Sequence, residues 1–263
     1  MERKAGSSRG EVKSGKPVSS RRSGPWAAAP FVEHDWVLSP KEALEVQKNL
    51  AALVRIEPLP SNPGIIGAAD IAYSRRANLL IAVVLSFQWP GLDLLESAHH
   101  MCGATFPYVP GLLSFREVPP ILEAFRKLSQ KPEILLCDGQ GIAHPRKMGF
   151  ASHLGLCLGL PTVGCAKSRL CGEHDEPPLK KGSSKPLMLA GEQVGLVFCS
   201  RDGVKPIYIS PGHLSDIPSA EKLVFLCLRR YRIPEPLRLA HIEATRLRER
   251  RDAKRGALNC PAE

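Results

Sequence analysis

Three apolar, β-branched stretches, residues 64–73, 79–87 and 92–101, follow one another with only short turn-forming segments between them. A parallel crossover needs a dozen or more residues, so such neighbours can pair only as an antiparallel meander. The pattern then changes. Residues 115–128 read as a helix with Pro119-Pro120 near its first turn. Residues 133–137 are a short apolar strand, 149–158 a second helix and 162–165 another buried strand. Strands joined through helices run parallel, and the crossover helices cover the sheet. The order β-β-β-α-β-α-β predicts an α/β fold with a mixed sheet flanked by helices on both faces.

Upstream, Ser39-Pro40-Lys41-Glu42 combines an N-cap serine, a proline at the first helical position and a glutamate at N3. A helix to about Leu53 is expected there. Residues 172–191 form a Pro/Lys/Gly/Ser-rich insertion, 194–199 and 206–210 a hairpin, and 219–231 a last amphipathic helix that Pro234 and Pro236 stop.

The chain has 263 residues, 43% of them apolar, enough for one domain with a proper core. Its formal charge of +10 sits mostly at the ends. Residues 1–30 carry a net +5 and 246–263 a net +3, leaving about +2 for 31–245. The division expected is a basic disordered extension over 1–34, a catalytic domain over 35–240 and a basic tail over 241–263. The longest apolar run, residues 78–87, is about half of the ~20 residues a membrane helix needs. The N-terminus has no apolar signal core. Eight cysteines lie mostly in apolar runs without a Cys-x-x-Cys pair, which suits reduced thiols packed as small hydrophobes. A cytoplasmic monomer is expected, with no membrane partner.

The arrangement resembles that of ribonuclease H-like nucleases, and it puts carboxylates at telling places. Asp70 interrupts the apolar strand Ile65-Ile-Gly-Ala-Ala-Asp70, Asp138 ends the strand at 134–137, and Glu117 opens the helix between them. If the first and fourth strands are neighbours, the two aspartates lie side by side and Glu117 reaches over them. Like charges packed together are costly without a cation. A divalent, oxygen-seeking ion holds them and assists phosphodiester hydrolysis. Taken singly, Glu117 also fits a capping box with Ser114, and Asp138-Gly139 is a common turn pair. Asp70 is the hardest to explain as structure, because a carboxylate inside an apolar strand is costly without a partner.

Longer motifs carry a family likeness. Pro107-Tyr-Val-Pro-Gly-Leu-Leu-Ser-Phe-Arg-Glu117, Asp138-Gly-Gln-Gly-Ile-Ala-His-Pro-Arg146, Gly164-Cys-Ala-Lys167 and Tyr208-Ile-Ser-Pro-Gly-His213 closely resemble the endonuclease V family, from about Trp36 to Ala240. The resemblance implies a Mg2+-dependent endonuclease, with Mn2+ as a substitute. Its expected substrate is inosine-containing DNA, or RNA, cut at the second phosphodiester bond 3′ to the lesion. By motif match Asp70, Glu117 and Asp138 are the metal and catalytic acids, and Lys167 and His213 are basic partners at the phosphate. Tyr108 belongs to a wedge, Pro107-Tyr108-Val109-Pro110, that fills the stack when the damaged base leaves it. Prolines on either side stiffen that segment. Gly111, Leu113 and Gly141 are assigned to reading hypoxanthine through backbone groups. Ser168 and Pro211 depart from the usual family residues. Two other readings stay open: a nuclease of the same scaffold without lesion choice, and a non-catalytic nucleic-acid binder.

Overall fold

The computed structural model describes residues 13–15 and 31–258. Most of the expected N-terminal extension therefore lies outside the described residues. Its described parts, β1 (Lys13–Gly15) and β2 (Phe31–Glu33), pair antiparallel. Helix α1 (Pro40–Ala51) follows, and its capping box forms: Ser39 Oγ accepts from the Glu42 amide, and the Glu42 carboxylate accepts from the Ser39 amide.

The meander is β3 (Ile65–Ser74), β4 (Leu79–Gln88) and β5 (Asp93–Gly103), antiparallel throughout. Helix α2 (Leu113–Lys127) leads to β6 (Ile134–Cys137), and α3 (Phe150–Leu158) to β7 (Thr162–Ala166). Both crossovers give parallel pairs, β3 with β6 and β6 with β7. Strands β8 (Ser184–Leu189), β9 (Glu192–Phe198) and β10 (Ile207–Pro211) complete one eight-stranded sheet in the order β5-β4-β3-β6-β7-β10-β9-β8. The expected mixed α/β sheet is present. The insertion at 172–191 contributes β8, an edge strand. Its Pro186 is tolerated because an edge need not donate on both sides.

Alternation along the central strands decides which helices cover which residues. Ile66, Ala68, Ala72, Ile134 and Leu136 pack beneath α4 (Ile217–Leu226) and α5 (Glu235–Leu258). Ala69, Leu135 and Cys137 face α2 and α3 on the other side. Asp70 and Asp138 share the parity of the first set, so both open toward the face covered by α4 and α5.

The C-terminal segment differs from expectation. Residues 241–258 belong to α5, not to a structureless tail, and Pro236 sits in its first turn, where a missing amide hydrogen costs nothing. Leu237, Ala240, Ala244 and Leu247 pack against the core at helical spacing. Two of them are alanines, so the apolar stripe is narrow and the arginines around it hide it. No helix among the described residues is long and apolar enough to cross a membrane. All seven described cysteines are free thiols, and Cys260 lies outside the described residues.

The loop after β6 packs closely against β7 and β10. A Cβ on Gly164 would come within 2.5 Å of the Gly141 nitrogen and 2.6 Å of the Gly139 carbonyl oxygen. Gly164→Ala should therefore push this loop off the sheet. A loss of about 1–3 kcal/mol in urea unfolding is expected, together with a fall in nuclease turnover.

Candidate active site

Asp70 stands in the middle of β3. Asp138 follows β6, with its amide donating to the Ala69 carbonyl at 3.2 Å. The β3–β6 register therefore brings the two carboxylates side by side, as the strand order required. Each meets a basic side chain. His241, on α5, places Nδ1 2.8 Å from Asp70 Oδ2, and Lys167, just after β7, pairs with Asp138. One donor atom from each of Asp70, Asp138 and His241 lies within 4.8 Å of the other two. Two carboxylates with open lone pairs beside a half-exposed imidazole fit a small divalent ion.

Asp70 is 7% exposed. Its pKa is raised first by burial and then by the charge of Asp138, against the His241 hydrogen bond and Lys167. Glu117 comes from α2, the helix on the opposite face, and reaches the acids across the end of the sheet. Burial, followed by the charges of Asp70 and Asp138, pushes its carboxyl up to about 8. It stands outside the tight group of donor atoms formed by the aspartates and His241. The alternative capping box with Ser114 does not form: Leu112 is the N-cap of α2 and makes no side-chain bond, while Ser114 Oγ meets His153 Nδ1 at 2.9 Å.

His213 requires a correction. The Thr162 amide donates to its carbonyl oxygen, so it sits at the start of β7, while Lys167 follows the other end. Five residues of strand at about 3.3 Å each put roughly 16 Å between these ends. Its ring is 2% exposed, and burial, then Arg55, lowers its pKa to about 4. Nδ1 accepts from the Arg55 amide at 3.3 Å. His213 is thus a buried neutral ring at the opposite ends of the central strands from Asp138 and Lys167, not beside the acids. The imidazole beside the acids is His241. The sequence signal for it was Pro234-x-Pro236 followed by Leu237, Ala240 and Ala244 at helical spacing, read as a stop instead of a start.

The proposed base-reading groups divide. Gly111 has φ +78°, a left-handed conformation that favours glycine. Its carbonyl oxygen already receives Gln47 Nε2 at 2.9 Å, Arg146 at 2.8 Å and His144 Nε2 at 3.1 Å. Gly141 donates its amide to Ser210 Oγ at 2.7 Å and accepts from the Gly149 amide at 2.9 Å. Its role is close approach: a Cβ there would lie 1.8 Å from the Pro211 carbonyl oxygen. The Gly111 carbonyl and both Gly141 backbone groups are thus spent on the protein itself. Leu113 opens α2, where the first amides of a helix have no intrahelical acceptor. Tyr108 is 71% exposed between Pro107 and Pro110, while Val109 packs partly against the core formed with α1. Of the unusual residues, Ser168 uses its carbonyl to hold Gln140 Nε2 at 3.1 Å, and Pro211 ends β10.

The family model described as Endonuclease V matches residues 48–242, a span that includes Asp70, Glu117, Asp138, Lys167 and His241. The chain belongs to the endonuclease V family. It is 44% identical over 211 residues to Endonuclease V of Nostoc punctiforme, which covers 80% of this chain and 96% of the relative. Among solved structures it is similar to Endonuclease V of Streptomyces avermitilis, with TM-score 0.78 and 36% identity over 82% of this chain and 96% of that one. It is also similar to the Bacillus subtilis protein, with TM-score 0.80 and 30% identity over 84% and 97%. As an endonuclease V, the chain is a nucleic-acid-cutting enzyme, and its central acids are those the fold brings together.

The raised carboxyl of Glu117 has a thermodynamic signature. Between pH 4.5 and about 8 the folded chain holds a proton there that the unfolded chain has released, so stability falls as pH rises through that window. Glu117→Gln removes this loss. In chelator, its melting temperature should rise relative to wild type between pH 5 and 8 and match it below pH 4.5. Parallel melting curves across that pH range check this.

Proposed function

We propose that this endonuclease V is Mg2+-dependent, with Mn2+ able to replace Mg2+. It recognises inosine or deoxyinosine and hydrolyses the second phosphodiester bond 3′ to the lesion, leaving the lesion in place for repair. The observation that carries the reading is the Asp70–Asp138 pair on adjacent parallel strands, each carboxylate compensated by one cationic or imidazole group.

Asp70 and Asp138 are the residues that would hold the ion, with Glu117 closing over them. A bound divalent ion neutralises charge at the scissile phosphate and acidifies the attacking water. The remaining chemistry belongs to the chain. His241 fixes the Asp70 carboxylate through Nδ1 and leaves its half-exposed ring edge toward solvent. Lys167 balances Asp138 and lies where the charge of a phosphate would develop. Glu117, whose carboxyl is raised by burial and by the charges of Asp70 and Asp138, adds the third acidic group that a divalent ion would neutralise.

Lesion choice is assigned to the loop before α2. An exposed tyrosine set between prolines can stack where a base has been extruded, at little entropic cost. The Gln47, His144 and Arg146 donors fix the Gly111 carbonyl, so the following backbone meets the base in one conformation. A pocket wired for one donor pattern strands unpaired groups against another, and strong discrimination follows. The reading takes inosine-containing DNA, and RNA as well, as substrate. The free thiols suit the cytoplasm, and the enzyme is read as a monomer.

The test is cleavage of matched single- and double-stranded DNA and RNA oligonucleotides, with and without one inosine, in Mg2+ and in chelator. Cutting should need both the inosine and the ion. Cutting of inosine-free strands at the same rate would replace this reading with that of a nuclease indifferent to the lesion. Asp70→Ala and Asp138→Ala should each lower turnover by at least about a thousandfold, on the order of 4 kcal/mol in barrier, while substrate still shifts in a gel. Tyr108→Ala should instead weaken lesion binding about tenfold or more, on the scale of one lost base–aromatic stack. Its Mg2+ dependence should stay that of wild type.

A further inference from the structure

A second group of metal-ligating side chains lies apart from the acids, beneath the N-terminal segment. His34, just after β2, and His153 and Cys157, both on α3, each bring one donor atom within 4.8 Å of the other two. His153 and Cys157 are four residues apart on one helix, so their side chains share a face. His34 Nε2 and His153 Nε2 approach to 2.8 Å. The far nitrogen of each ring is held from behind: His34 Nδ1 donates to the Asp35 carbonyl at 2.7 Å, and His153 Nδ1 meets Ser114 Oγ at 2.9 Å. Donation from His34 Nδ1 leaves its Nε2 as a lone pair. Without an ion His153 Nε2–H donates to that lone pair and the Ser114 hydroxyl donates to His153 Nδ1; when a metal takes its place the ring proton moves to Nδ1, the Ser114 hydroxyl turns to accept it, and His153 Nε2 becomes the second lone pair. Metal-bound imidazoles are oriented by this kind of backing. Burial keeps both rings neutral, which is the ligand form. Trp36 and Phe115 pack on the same rings.

We propose that His34, His153 and Cys157 bind a zinc ion that staples the segment after β2 onto α3. A soft thiolate with two imidazoles suits zinc and not Mg2+, whereas the Asp70–Asp138 site offers no sulfur. On binding, the Cys157 thiol releases its proton to solvent and a zinc–sulfur bond forms, with no change of oxidation state. The two Nε2 atoms must part from 2.8 Å to about 3.3 Å, the edge of a tetrahedron with bonds of about 2.0–2.1 Å. These three side chains leave the fourth position of a tetrahedral ion to water. Through Ser114 the ion also backs the first turn of α2, which carries Glu117.

The full chain, stripped with chelator, is titrated with Co2+ while the near-ultraviolet thiolate-to-cobalt band is followed, and melting is recorded with and without Zn2+. Wild type should develop the band at one Co2+ per chain, lose it to Zn2+, and melt at a higher temperature with Zn2+. Cys157→Ser should lose both the band and the Zn2+ shift, and His34→Gln should weaken Co2+ binding by at least about tenfold. A wild-type chain with neither band nor Zn2+ shift would overturn the proposal and leave the two rings simply hydrogen-bonded. A band that persists in Cys157→Ser would overturn it by assigning the thiolate to another cysteine.

Discussion

Two carboxylates held side by side in an apolar sheet are the constraint to which the rest of the structure answers. Removing an ionised group from water costs several kcal/mol even after relaxation, and Asp138 adds repulsion to the burial of Asp70. The chain meets that cost from two directions. Lys167 arrives from the end of β7 and His241 from α5. The sheet order β3-β6-β7 and the docking of α5 over β3 are thus tied to the same pair of oxygens. A charge pattern that only tolerates burial with cations present is also one that attracts a divalent ion and a phosphate.

Around this centre the backbone leaves little slack. The Asp138–Gly141 turn packs closely against Gly164 of β7 and Pro211 of β10, and the amides of Asp138, Gly139 and Gly141 and the carbonyls of Gln140 and Gly141 are bonded within the protein. The loop that carries Tyr108 is anchored at Gly111 by three donors from α1 and from the segment after Gly141. Rigid mounting of both the exposed ring and the acids is what the proposed function needs, since a fixed cut position relative to the lesion requires a fixed spacing between reader and cutter.

Much of this was legible in the sequence, and the failures have physical causes. The meander, both crossovers and the α1 cap follow from periodicity and from short motifs whose bonds form as read. Asp70 stood out because an ionisable group inside an apolar strand needs a reason. His241 was missed because α5 buries alanines at half of its core positions and is studded with arginines, so its stripe is faint against the charge. His213 was misplaced because a motif match says nothing about which end of a strand a residue occupies; only the β7–β10 pairing reveals it. That the Gly111 carbonyl and both Gly141 backbone groups are occupied is not legible in the sequence, because hydrogen bonds spent on distant segments leave no trace in it.

The alternation in β3 has one more implication. Ile66, Ala68 and Ala72 enter the core on the face to which Asp70 points, so hydrophobic burial and acid placement are set by one register. Gain or loss of a single residue within this strand would invert every side chain beyond it, exchanging core for the opposite layer and carrying the carboxylate away from His241. Point changes can tune such a strand, but its length is frozen, because packing and chemistry would fail in the same step.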